Sequence, residues 1–378
     1  MARLGDIATV ITKGTTPTSI GFNFQNDGIN FVKIESIDEN GNFVYNKFDH
    51  ISNECNEKLK RSQLQENDIL FSIAGAIGRT AIVTKDILPA NTNQALAIIR
   101  IPQGMINYSF LLYVLQSAVV SEQAEKRKQG VAQLNLSLKD ISELIIPDIP
   151  LAKQQDIVEN LDKVNNLISL RKQQLSKLDE LVKSRFIELF GDGRDGKTPV
   201  KMLGGICKFQ QGTQIPVDEQ FEDQKSGYKR FLRIIDYTQA PQPPRFVNVN
   251  GKEVDEKSVV IVRYGATAGF VGRGYQGILA NNLFEIIPDE TILSKDFLFL
   301  ALKYGTFEKE VHDKAFGAAM PALSFSMMND IPVVVPKPEQ QQQFVSFVEQ
   351  TDKSKFEIQK SLEKLETLKK ALMQEYFG

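Results

Sequence analysis

A phrase that occurs twice, once near the middle of the chain and once at its end, decides the fold. The first copy is KLDELVKSRFIELFGD at residues 177–192, and the second is KLETLKKALMQEYFG at residues 364–378. Their first lysines lie 187 positions apart (364 − 177), which is close to half of the 378 residues. Similarity at such a spacing predicts two copies of one structural unit.

The repeat extends over most of the sequence. Five further pairs of segments follow in the same order: LGDIATVITKGTTP (4–17) and LGGICKFQQGTQIP (203–216), FVKIESI and FLRIIDY, AGAIGRTAIV and YGATAGFVGR, NQALAIIRIP and NNLFEIIP, GVAQLNLSL and GAAMPALSF. The offset falls from 199 (203 − 4) to 187 along the chain. The copies therefore differ by small insertions, which surface loops tolerate.

Each copy has the same order of predicted elements. Short runs rich in Val, Ile and Phe between Gly, Pro and Asn predict strands and turns. A helical stretch and a Pro-containing strand follow, and then a long segment without Gly or Pro. We therefore predict an α+β chain with four parts: a mostly β domain at 1–150, a long helix at 151–192, a second mostly β domain at 193–338 and a second long helix at 339–378.

The two long segments carry apolar residues at alternating steps of four and three, a spacing that predicts a coiled-coil seam. The seam positions are Ile157, Leu161, Val164, Ile168, Leu175, Leu178 and Val182 in the first segment, and Phe344, Val348, Ile358, Leu362, Leu365 and Leu372 in the second. Polar residues interrupt the seam at Arg171, Thr351, Lys355 and Lys369. We expect the two helices to pair antiparallel. The alternative is two amphipathic helices, each packed in an ordinary core.

Composition limits the classes of function. Lys and Arg number 45 against 47 Asp and Glu, a net charge of −2, so the whole chain lacks the basic signature typical of nucleic-acid binders. Cys55 and Cys207 stand alone, and His50 and His312 are the two histidines, so we expect neither a zinc site nor a disulfide.

The start of the chain and its apolar stretches indicate the compartment. MARLGDIATV has no apolar h-region, so we expect no signal peptide. The longest apolar stretch, FLLYVLQSAVV, is too short to span a bilayer. These features favour a reduced, cytoplasmic setting.

The segment GDGRDGKT at 191–198 fits the phosphate-binding pattern G-x-x-x-x-G-K-[ST]. That mechanism requires a strand before the loop and a helix after it, so that backbone amides and the helix dipole converge on phosphate. Here a predicted helix precedes the loop, and Pro199 with a strand-like run follows it. Gly191 is therefore interpreted as a helix C-cap, and the rest as an interdomain linker.

The helical segments carry a family resemblance. The stretch IPDIPLAKQQDIVENLDKVNNLISLRKQQLSKLDELVKSRFIELFGD closely resembles the central helical region of type I restriction-modification specificity subunits. The segment from VPKPEQQQQFVSFVEQ to the final FG resembles their C-terminal helical region, and LGDIATVITKGTTP and LGGICKFQQGTQIP resemble the starts of their target recognition domains. The likeness covers nearly the whole chain in the family's order, and within the recognition domains only the glycine framework matches.

This resemblance implies a DNA-recognition role without catalytic residues, metal or directly bound cofactor. Each recognition domain would read one half of a split site in double-stranded DNA, and the helices would fix the spacing. Two methyltransferase subunits would dock on the helices, bring S-adenosylmethionine and flip one adenine per half-site out of the stack. Restriction subunits that use ATP and Mg²⁺ would complete the assembly, and no membrane is involved.

Candidate DNA-binding residues lie at the end of a predicted helix and just after it, in EKRKQGVAQLN. Basic side chains hold phosphates, and Gln and Asn pair with adenine edges. The candidates are Lys126, Arg127, Lys128, Gln129, Gln133 and Asn135. The alternative is a basic helix C-terminus that interacts with its own dipole. The matching second loop, HDKAFGAAMPAL, offers only Lys314 and no Gln, so base readout there must lie elsewhere.

The remaining candidates lie in or beside turns. In the second copy the candidates beside the RYGATAG turn are Arg233, Arg263, Tyr264, Thr267 and Arg273. Polar residues of the other turns complete the set: Thr15, Thr16, Arg79, Asn93, Gln94, Gln214, Asn281 and Asn282. A structural role in the turn is an open alternative for Arg79, Asn93, Gln94, Asn281 and Asn282.

Three other functions compete with this interpretation. One is the recognition module of a related stand-alone restriction-methylation enzyme, which the lack of methyltransferase motifs in the chain disfavours. Another is a two-armed protein scaffold without a DNA role, which the near-neutral charge favours. A third is an unrecognised enzyme, which the lack of convergent His, Cys and carboxylate motifs disfavours.

Overall fold

A computed structural model describes residues 1–127, 135–191, 196–239, 242–315 and 322–378, without the side chains of residues 314 and 315. The chain divides into two compact units, the first formed by Met1–Arg171 and Ser361–Gly378 and the second by Lys172–Lys360. The borders fall within the two long helices, so each unit contains a β-rich part, which we call its arm, and segments of both helices. The predicted α+β class is confirmed, and the four-part division by residue number stays a prediction.

The first arm consists of short strands and helices joined by turns and 3-10 helices. Its strands are β1 (Ala2–Arg3), β2 (Val10–Lys13), β3 (Ile29–Val32), β4 (Asp49–Ile51), β5 (Ile69–Ser72), β6 (Thr80–Ile82), β7 (Ala90–Thr92), β8 (Leu96–Arg100) and β9 (Ile145–Ile146). Its helices are α1 (Leu4–Ile7), α2 (Asn53–Lys58), α3 (Tyr108–Leu115), α4 (Ala118–Arg127) and α5 (Leu138–Ser142). The long helix α6 (Leu151–Phe190) follows.

The second arm has an equivalent series of elements. Its strands are β10 (Val200–Met202), β11 (Cys207–Gln211), β12 (Lys229–Leu232), β13 (Arg245–Val247), β14 (Glu253–Val254), β15 (Val259–Val262), β16 (Val271–Gly272), β17 (Gly277–Leu279), β18 (Leu283–Pro288) and β19 (Pro332–Val334). Its helices are α7 (Leu203–Ile206), α8 (Ile234–Thr238), α9 (Lys295–Tyr304), α10 (Phe307–Ala315) and α11 (Phe325–Asn329). The second long helix, α12, spans Pro338–Phe377.

The sheets of the two arms share one topology. An antiparallel sheet, which we call the main sheet of each arm, has the order β2-β8-β5-β6 in the first arm and β11-β18-β15-β16 in the second. A second sheet has the order β4-β3-β7 or β13-β12-β17-β14, and in both arms its central pair, β3–β7 or β12–β17, is parallel. A two-stranded ribbon, β1–β9 or β10–β19, completes each arm. The internal repeat predicted from the sequence is thereby confirmed.

Each unit has a core in which an arm packs on the long helices. In the first unit Phe110 of α3 lies 5.6 Å from Phe377 of α12, measured between ring centroids, and Leu161 of α6 is fully buried beside them. In the second unit four phenylalanines form one cluster with centroid distances of 5.2–6.3 Å. They are Phe186, Phe190, Phe297 and Phe344.

The long helices pair within the second unit, and their direction is antiparallel. Lys355 Nζ lies 2.6 Å from Asp179 Oδ1, and the rings of Phe344 and Phe186 lie 5.5 Å apart. In these contacts, the earlier residue of α12 (Phe344) lies against the later residue of α6 (Phe186), and the later residue of α12 (Lys355) lies against the earlier residue of α6 (Asp179). In the first unit the two helices also touch, because Asn160 Nδ2 donates to Tyr376 Oη at 3.2 Å.

The predicted seam is the inward face of both helices. Every seam position, including the four polar interruptions, is buried or half-buried. Thr351 is buried, and its hydroxyl donates to the Phe347 carbonyl at 2.9 Å. Burial lowers the pKa of Lys355, but the hydrogen bond to Asp179 and the charges of Tyr304, Asp179 and Asp352 together raise it more, so the net direction is upward. The polar residues thus have partners and do not break the pairing.

A glycine after the first strand of each main sheet permits a close backbone approach. A Cβ on Gly14 would lie 1.8 Å from the Thr92 carbonyl oxygen, and a Cβ on Gly212 would lie 2.1 Å from that of Ala280. Real Cβ atoms do not come so near to backbone. Packing therefore requires the glycine of the GT dipeptide that both copies share.

Replacing Gly212 by alanine is expected to destabilise the second unit by about 1–3 kcal/mol, because the added methyl must push two backbone segments apart. Gly205→Ala in α7 is the matched control, since a Cβ there meets no atom within 4 Å and alanine favours helix. Chemical denaturation of both variants checks this prediction. Equal stability of the two variants would contradict the close approach.

In the part of the chain that the structure describes, no helix combines the length and apolar character needed to cross a membrane.

Candidate nucleic-acid interface

One end of the main sheet of the first arm gathers several polar loops. The register pairs Lys13 with Ala97 and Ser72 with Leu96, so β2 and β5 end where β6 and β8 begin. The loops at this end, residues 14–16, 73–79 and 93–95, are called the first rim. Asn135 joins them, because it forms a bridge with Ala74 just beyond β5.

The second arm has the same arrangement. The register pairs Gln211 with Phe284 and Val262 with Leu283, which brings together residues 212–214, 263–270 and 280–282. These loops are called the second rim. Tyr264 bridges Ala322, the position equivalent to the Asn135 bridge.

Most of the turn candidates named from the sequence lie on the two rims. The first rim contains Thr15, Thr16, Arg79, Asn93, Gln94 and, beside it, Asn135. The second rim contains Gln214, Arg263, Tyr264, Thr267, Asn281 and Asn282. Residues that are up to 120 positions apart in the first copy (135 − 15) and 68 in the second (282 − 214) therefore lie at one end of one sheet. These residues lie together because neighbouring strands of an antiparallel sheet run in opposite directions, so the end of one strand lies beside the start of the next.

Each rim carries a matching pair of hydrogen-bonded polar side chains. On the first rim the Thr16 hydroxyl donates to Gln94 Oε1. On the second rim Asn281 Nδ2 donates to Gln214 Oε1 at 3.4 Å. In both cases the loop after the first strand, β2 or β11, contacts the loop before the strand paired with it, β8 or β18. Gln94 and Gln214 are exposed, so their amide groups retain positions for a ligand.

Three rim residues have structural partners. Arg79 Nη1 donates to the carbonyl oxygens of Ile34 at 3.2 Å and Ile37 at 3.0 Å, and Asn93 Oδ1 accepts from the Ala95 amide at 3.1 Å. Arg263 Nε donates to the Leu323 carbonyl at 3.2 Å. These contacts hold the loops in place, which supports the alternative turn role for Arg79 and Asn93.

The second rim also presents aromatic and polar surface. Tyr264 is 37% exposed, and the Arg263 guanidinium carbon lies 4.8 Å from its ring centroid, a cation–π distance. Thr267 is exposed. Asn282 Oδ1 is buried, and among the described atoms it accepts no hydrogen bond. This rim thus offers stacking and hydrogen-bonding groups side by side.

Two arginine candidates lie away from the rims and are paired with carboxylates. Arg233 Nε donates to Asp236 at 3.0 Å, and its Nη2 donates to the Pro243 carbonyl at 3.0 Å. Arg273 follows β16, at the end of the sheet opposite the rim, and its Nη1 donates to Asp296 at 3.0 Å. Each arginine shares its carboxylate with a second cation, Arg230 at Asp236 and Lys257 at Asp296, and DNA contact by either arginine stays a prediction.

Two of the basic candidates, Lys126 and Arg127, lie in the last turn of α4. Lys126 is exposed, while Arg127 Nη1 donates to the Gln123 carbonyl at 3.0 Å in the helix's own last turn. That bond fits the alternative of a basic helix C-terminus. Four candidates lie outside the described residues or side chains: Lys128, Gln129, Gln133 and Lys314.

Exposed apolar residues next to the rims were missed by the sequence interpretation. Ile20 is 41% exposed in the first arm, and Val217 and Phe270 are 82% and 41% exposed in the second. Ile20 and Val217 each lie in a 3-10 helix after the GT turn, and a proline stands at its start: Pro17 is the first residue of one helix and Pro216 precedes the other. The repeated order of glycine, proline and an aliphatic residue was the available signal, although the spacing differs between the copies.

The described residues contain no group of three or more His, Cys, Asp and Glu that could hold a metal ion. Both thiols are buried, and burial raises the pKa of the Cys207 thiol to about 12. A thiol that stays protonated is a poor nucleophile.

Gly191 follows α6 with a φ of +73°, and its amide donates to the Ile187 carbonyl at 2.8 Å. A helix precedes GDGRDGKT and β10 follows it, the reverse of the phosphate-loop context.

Comparison with known proteins identifies the family. The sequence profile described as the type I restriction modification DNA specificity domain matches twice, at residues 1–180 and 197–370. The chain belongs to this family. The two matches to the DNA specificity domain correspond to the two arms and the long helices that follow them.

Individual relatives agree with the family match. The type I restriction enzyme EcoBI specificity subunit of Escherichia coli is 34% identical over 140 residues, which cover 36% of this chain and 29% of that subunit. The MjaVIII subunit of Methanocaldococcus jannaschii is 26% identical over 182 residues, 47% of this chain and 41% of the relative. These two alignments thus span less than half of the relatives' length. The MjaIX subunit of the same organism is 25% identical over 334 residues, 81% of this chain and 75% of the relative.

Solved structures share the fold. A chain of a type I R-M system, solved to explain complex assembly and conformational transition, superposes with a TM-score of 0.64 at 18% identity, covering 99% of this chain and 96% of that one. The S subunit of the type I restriction-modification system of M. genitalium gives a TM-score of 0.56 at 16% identity, covering 100% and 95%.

Proposed function

We propose that this chain is the DNA sequence-specificity subunit of a type I restriction-modification complex. Each arm reads one half of a bipartite site in double-stranded DNA. The observation that carries the proposal is the presence of two DNA specificity domains of one topology, each with polar loops collected at one end of its main sheet. Two similar but non-identical readers fit a site with two different halves.

The rims are the proposed DNA-reading surfaces. Gln94 on the first rim and Gln214 on the second are exposed amides, and Gln pairs through two hydrogen bonds with the N6 and N7 edge of adenine. Exposed apolar residues beside them, Ile20 and Val217, fit contact with a thymine methyl group. The two rims differ in composition, since Tyr264 and Arg263 have no aromatic or basic equivalent at Ala74 and Ile73. The two arms therefore select different bases.

The charge of the chain bears on affinity. With a net charge of −2 the subunit has little capacity to neutralise phosphates, the term that dominates DNA affinity. Two methyltransferase subunits, docked on the long helices, supply most of the phosphate contacts, and the helices set the gap between the half-sites.

Catalysis belongs to the partner subunits in this proposal. The methyltransferase subunits bring S-adenosylmethionine and flip the target adenines, because the N6 atom cannot be reached within a stacked duplex. Restriction subunits bring ATP and Mg²⁺. The chain itself is a non-catalytic, cytoplasmic subunit, with a recognition domain at 1–150, a spacer helix at 151–192, a second recognition domain at 193–338 and a second spacer helix at 339–378.

Exchanging one arm tests the function. A hybrid that carries residues 1–147 of a family member with a different target is expected to change one half of the methylated sequence and to leave the other half and the gap unchanged. The reason is that each arm has its own sheet, core and rim. Sequencing methylated adenines in cells that express the hybrid with the methyltransferase subunit measures this.

The parent chain, expressed in the same way, is the control. Changes in both half-sites would show that the arms do not read independently. A parent complex that methylates no bipartite sequence would exclude the proposed function and favour a scaffold.

A further inference from the structure

A buried glutamine stands in the first turns of each long helix. Gln154 in α6 is 4% exposed and Gln341 in α12 is 3% exposed, whereas the glutamines next to them, Gln155 and Gln342, are exposed. A buried amide must satisfy its hydrogen-bonding groups within the protein. Its partners therefore show which segments it ties together.

In the first unit Gln154 joins three segments. Its Oε1 accepts from the backbone amide of Asn107 at 2.8 Å, and its Nε2 donates to the Ile149 carbonyl at 2.6 Å. Asn107 is the N-cap of α3, and its own side chain accepts from the Phe110 amide. Ile149 lies in the segment that leads from β9 into α6. The amide thus connects the arm helix, the exit of the arm and the long helix.

In the second unit Gln341 makes the same contacts. Its Oε1 accepts from the backbone amide of Ser294 at 3.0 Å, and its Nε2 donates to the carbonyls of Pro336 and Ile292, both at 2.9 Å. Ser294 is the N-cap of α9.

The positions correspond one to one between the units. The glutamines, the N-caps and the exit residues are each separated by the same interval (341 − 154, 294 − 107 and 336 − 149 all give 187). The two arms thus share one polar connection to their helix.

We propose that Gln154 and Gln341 are positioning residues that fix the orientation of each arm on its long helix and thereby hold the gap between the two DNA half-sites to one length. This inference rests on the proposed function. Apolar contacts such as those of Phe110 and Phe297 are non-directional and allow a helix to slide or tilt. Hydrogen bonds to a backbone amide are directional, so they fix the angle between α3 and α6, or between α9 and α12.

Loss of the side-chain amide is expected to weaken the connection between the arm and the long helix without leaving a cavity. Gln341→Met keeps the length and volume of the side chain but removes all three hydrogen bonds, which leaves the half-buried Ser294 amide without its acceptor. In the full chain, hydrogen exchange at the Ser294 amide and its neighbours is expected to accelerate about ten-fold. Gln343→Met, at an exposed position of the same turn, is the matched control and is expected to leave exchange unchanged.

The gap itself is measured in the complex with methyltransferase subunits. DNA substrates carry the two half-sites of the parent at the native gap, one base pair shorter and one base pair longer. The parent is expected to prefer one gap. Gln341→Met and Gln154→Met are each expected to reduce that preference at least about five-fold, because methylation at the neighbouring gaps rises. Both half-site sequences are expected to stay unchanged. Since the two variants lie in different units, a folding failure of one leaves the other as the test.

The two readouts separate the outcomes. Faster exchange with an unchanged gap preference would overturn the positioning role, and so would unchanged exchange in both variants. A parent complex that shows no preference for any bipartite DNA would instead exclude the proposed function, a result that depends on no glutamine variant.

Discussion

Phe344→Ala is expected to lower the free energy of unfolding of the second unit by about 3–5 kcal/mol. Phe344 is 1% exposed, and its ring centroid lies 5.5 Å from both Phe186 and Phe190 and 6.3 Å from Phe297. These rings come from α6, α9 and α12, so the lost side chain leaves a cavity where the arm and both long helices meet. Aromatic pairs also add interaction energy beyond the area they bury.

The same helix offers a matched control. Phe356 is 66% exposed, and Phe356→Ala removes an equal volume where water already surrounds the ring. Its effect is expected to stay within about 0.5 kcal/mol. Urea denaturation of the two variants, followed by circular dichroism, gives the comparison. Similar losses for both would mean that the cluster at Phe344 does not hold the unit together.

The helical seam shows how far the sequence determines the fold. Steps of four and three residues predicted which face of α6 and α12 is buried, because this periodicity depends only on helix geometry. The spacing could not show why Lys355 is tolerated on that face. Its partner, Asp179, lies 176 positions away on the other helix, and such a contact depends on tertiary packing. Thr351 is simpler, since a threonine can satisfy its hydroxyl on its own helix.

The candidate DNA-binding residues show a similar division. Turn residues such as Gln94 and Gln214 lie on the rims because strand order brings turns to one end of a sheet, and the repeat made that order visible. Arg273 lies at the other end and pairs with Asp296, a residue 23 positions away whose proximity the sequence did not reveal. For Arg233, Asp236 is only three residues further on, and a capping interaction could have been suspected.

The buried glutamines carried a signal that was available in the sequence. Gln154 precedes Ile157 by three residues, and Gln341 precedes Phe344 by three, so both extend the seam spacing by one step. A polar residue at the same seam position of both copies indicates a shared buried contact. Its partners, the N-caps Asn107 and Ser294, could not be assigned without the fold.

Insertions in α6 are expected to have the largest functional effects. The helix is continuous over 40 residues, and Lys172 is close to its middle. Two residues inserted after Lys172 rotate everything downstream by about 200°, at 100° per residue. Phe186 and Val182 would then face away from the side defined by Leu161, and the seam cannot bury both halves. Methylation by the complex is expected to be abolished.

Four inserted residues are expected to leave the complex active with a changed target. The added rotation is about 400°, which displaces the seam by only about 40°, and the helix lengthens by about 6 Å. One base pair occupies about 3.4 Å along DNA. If the helices set the gap, the preferred gap therefore grows by one or two base pairs while both half-site sequences stay the same. Sequencing of methylated adenines for each variant gives the half-sites and the gap together.

The control places the same four residues after Gly104, a turn of the first arm where no atom lies within 4 Å of an added Cβ. This variant is expected to keep the parent gap, because it lengthens a surface loop and not the helix. An active α6 variant with an unchanged gap would show that the helices do not measure the distance between the half-sites. The repeated phrase at 177–192 and 364–378 would then serve stability alone. A longer gap in the α6 variant together with the parent gap in the loop variant would show that helix length sets the spacing. Both variants have the same chain length, so chain length alone could not explain the difference. The four inserted residues also bring the seam of α6 nearly back to its original direction.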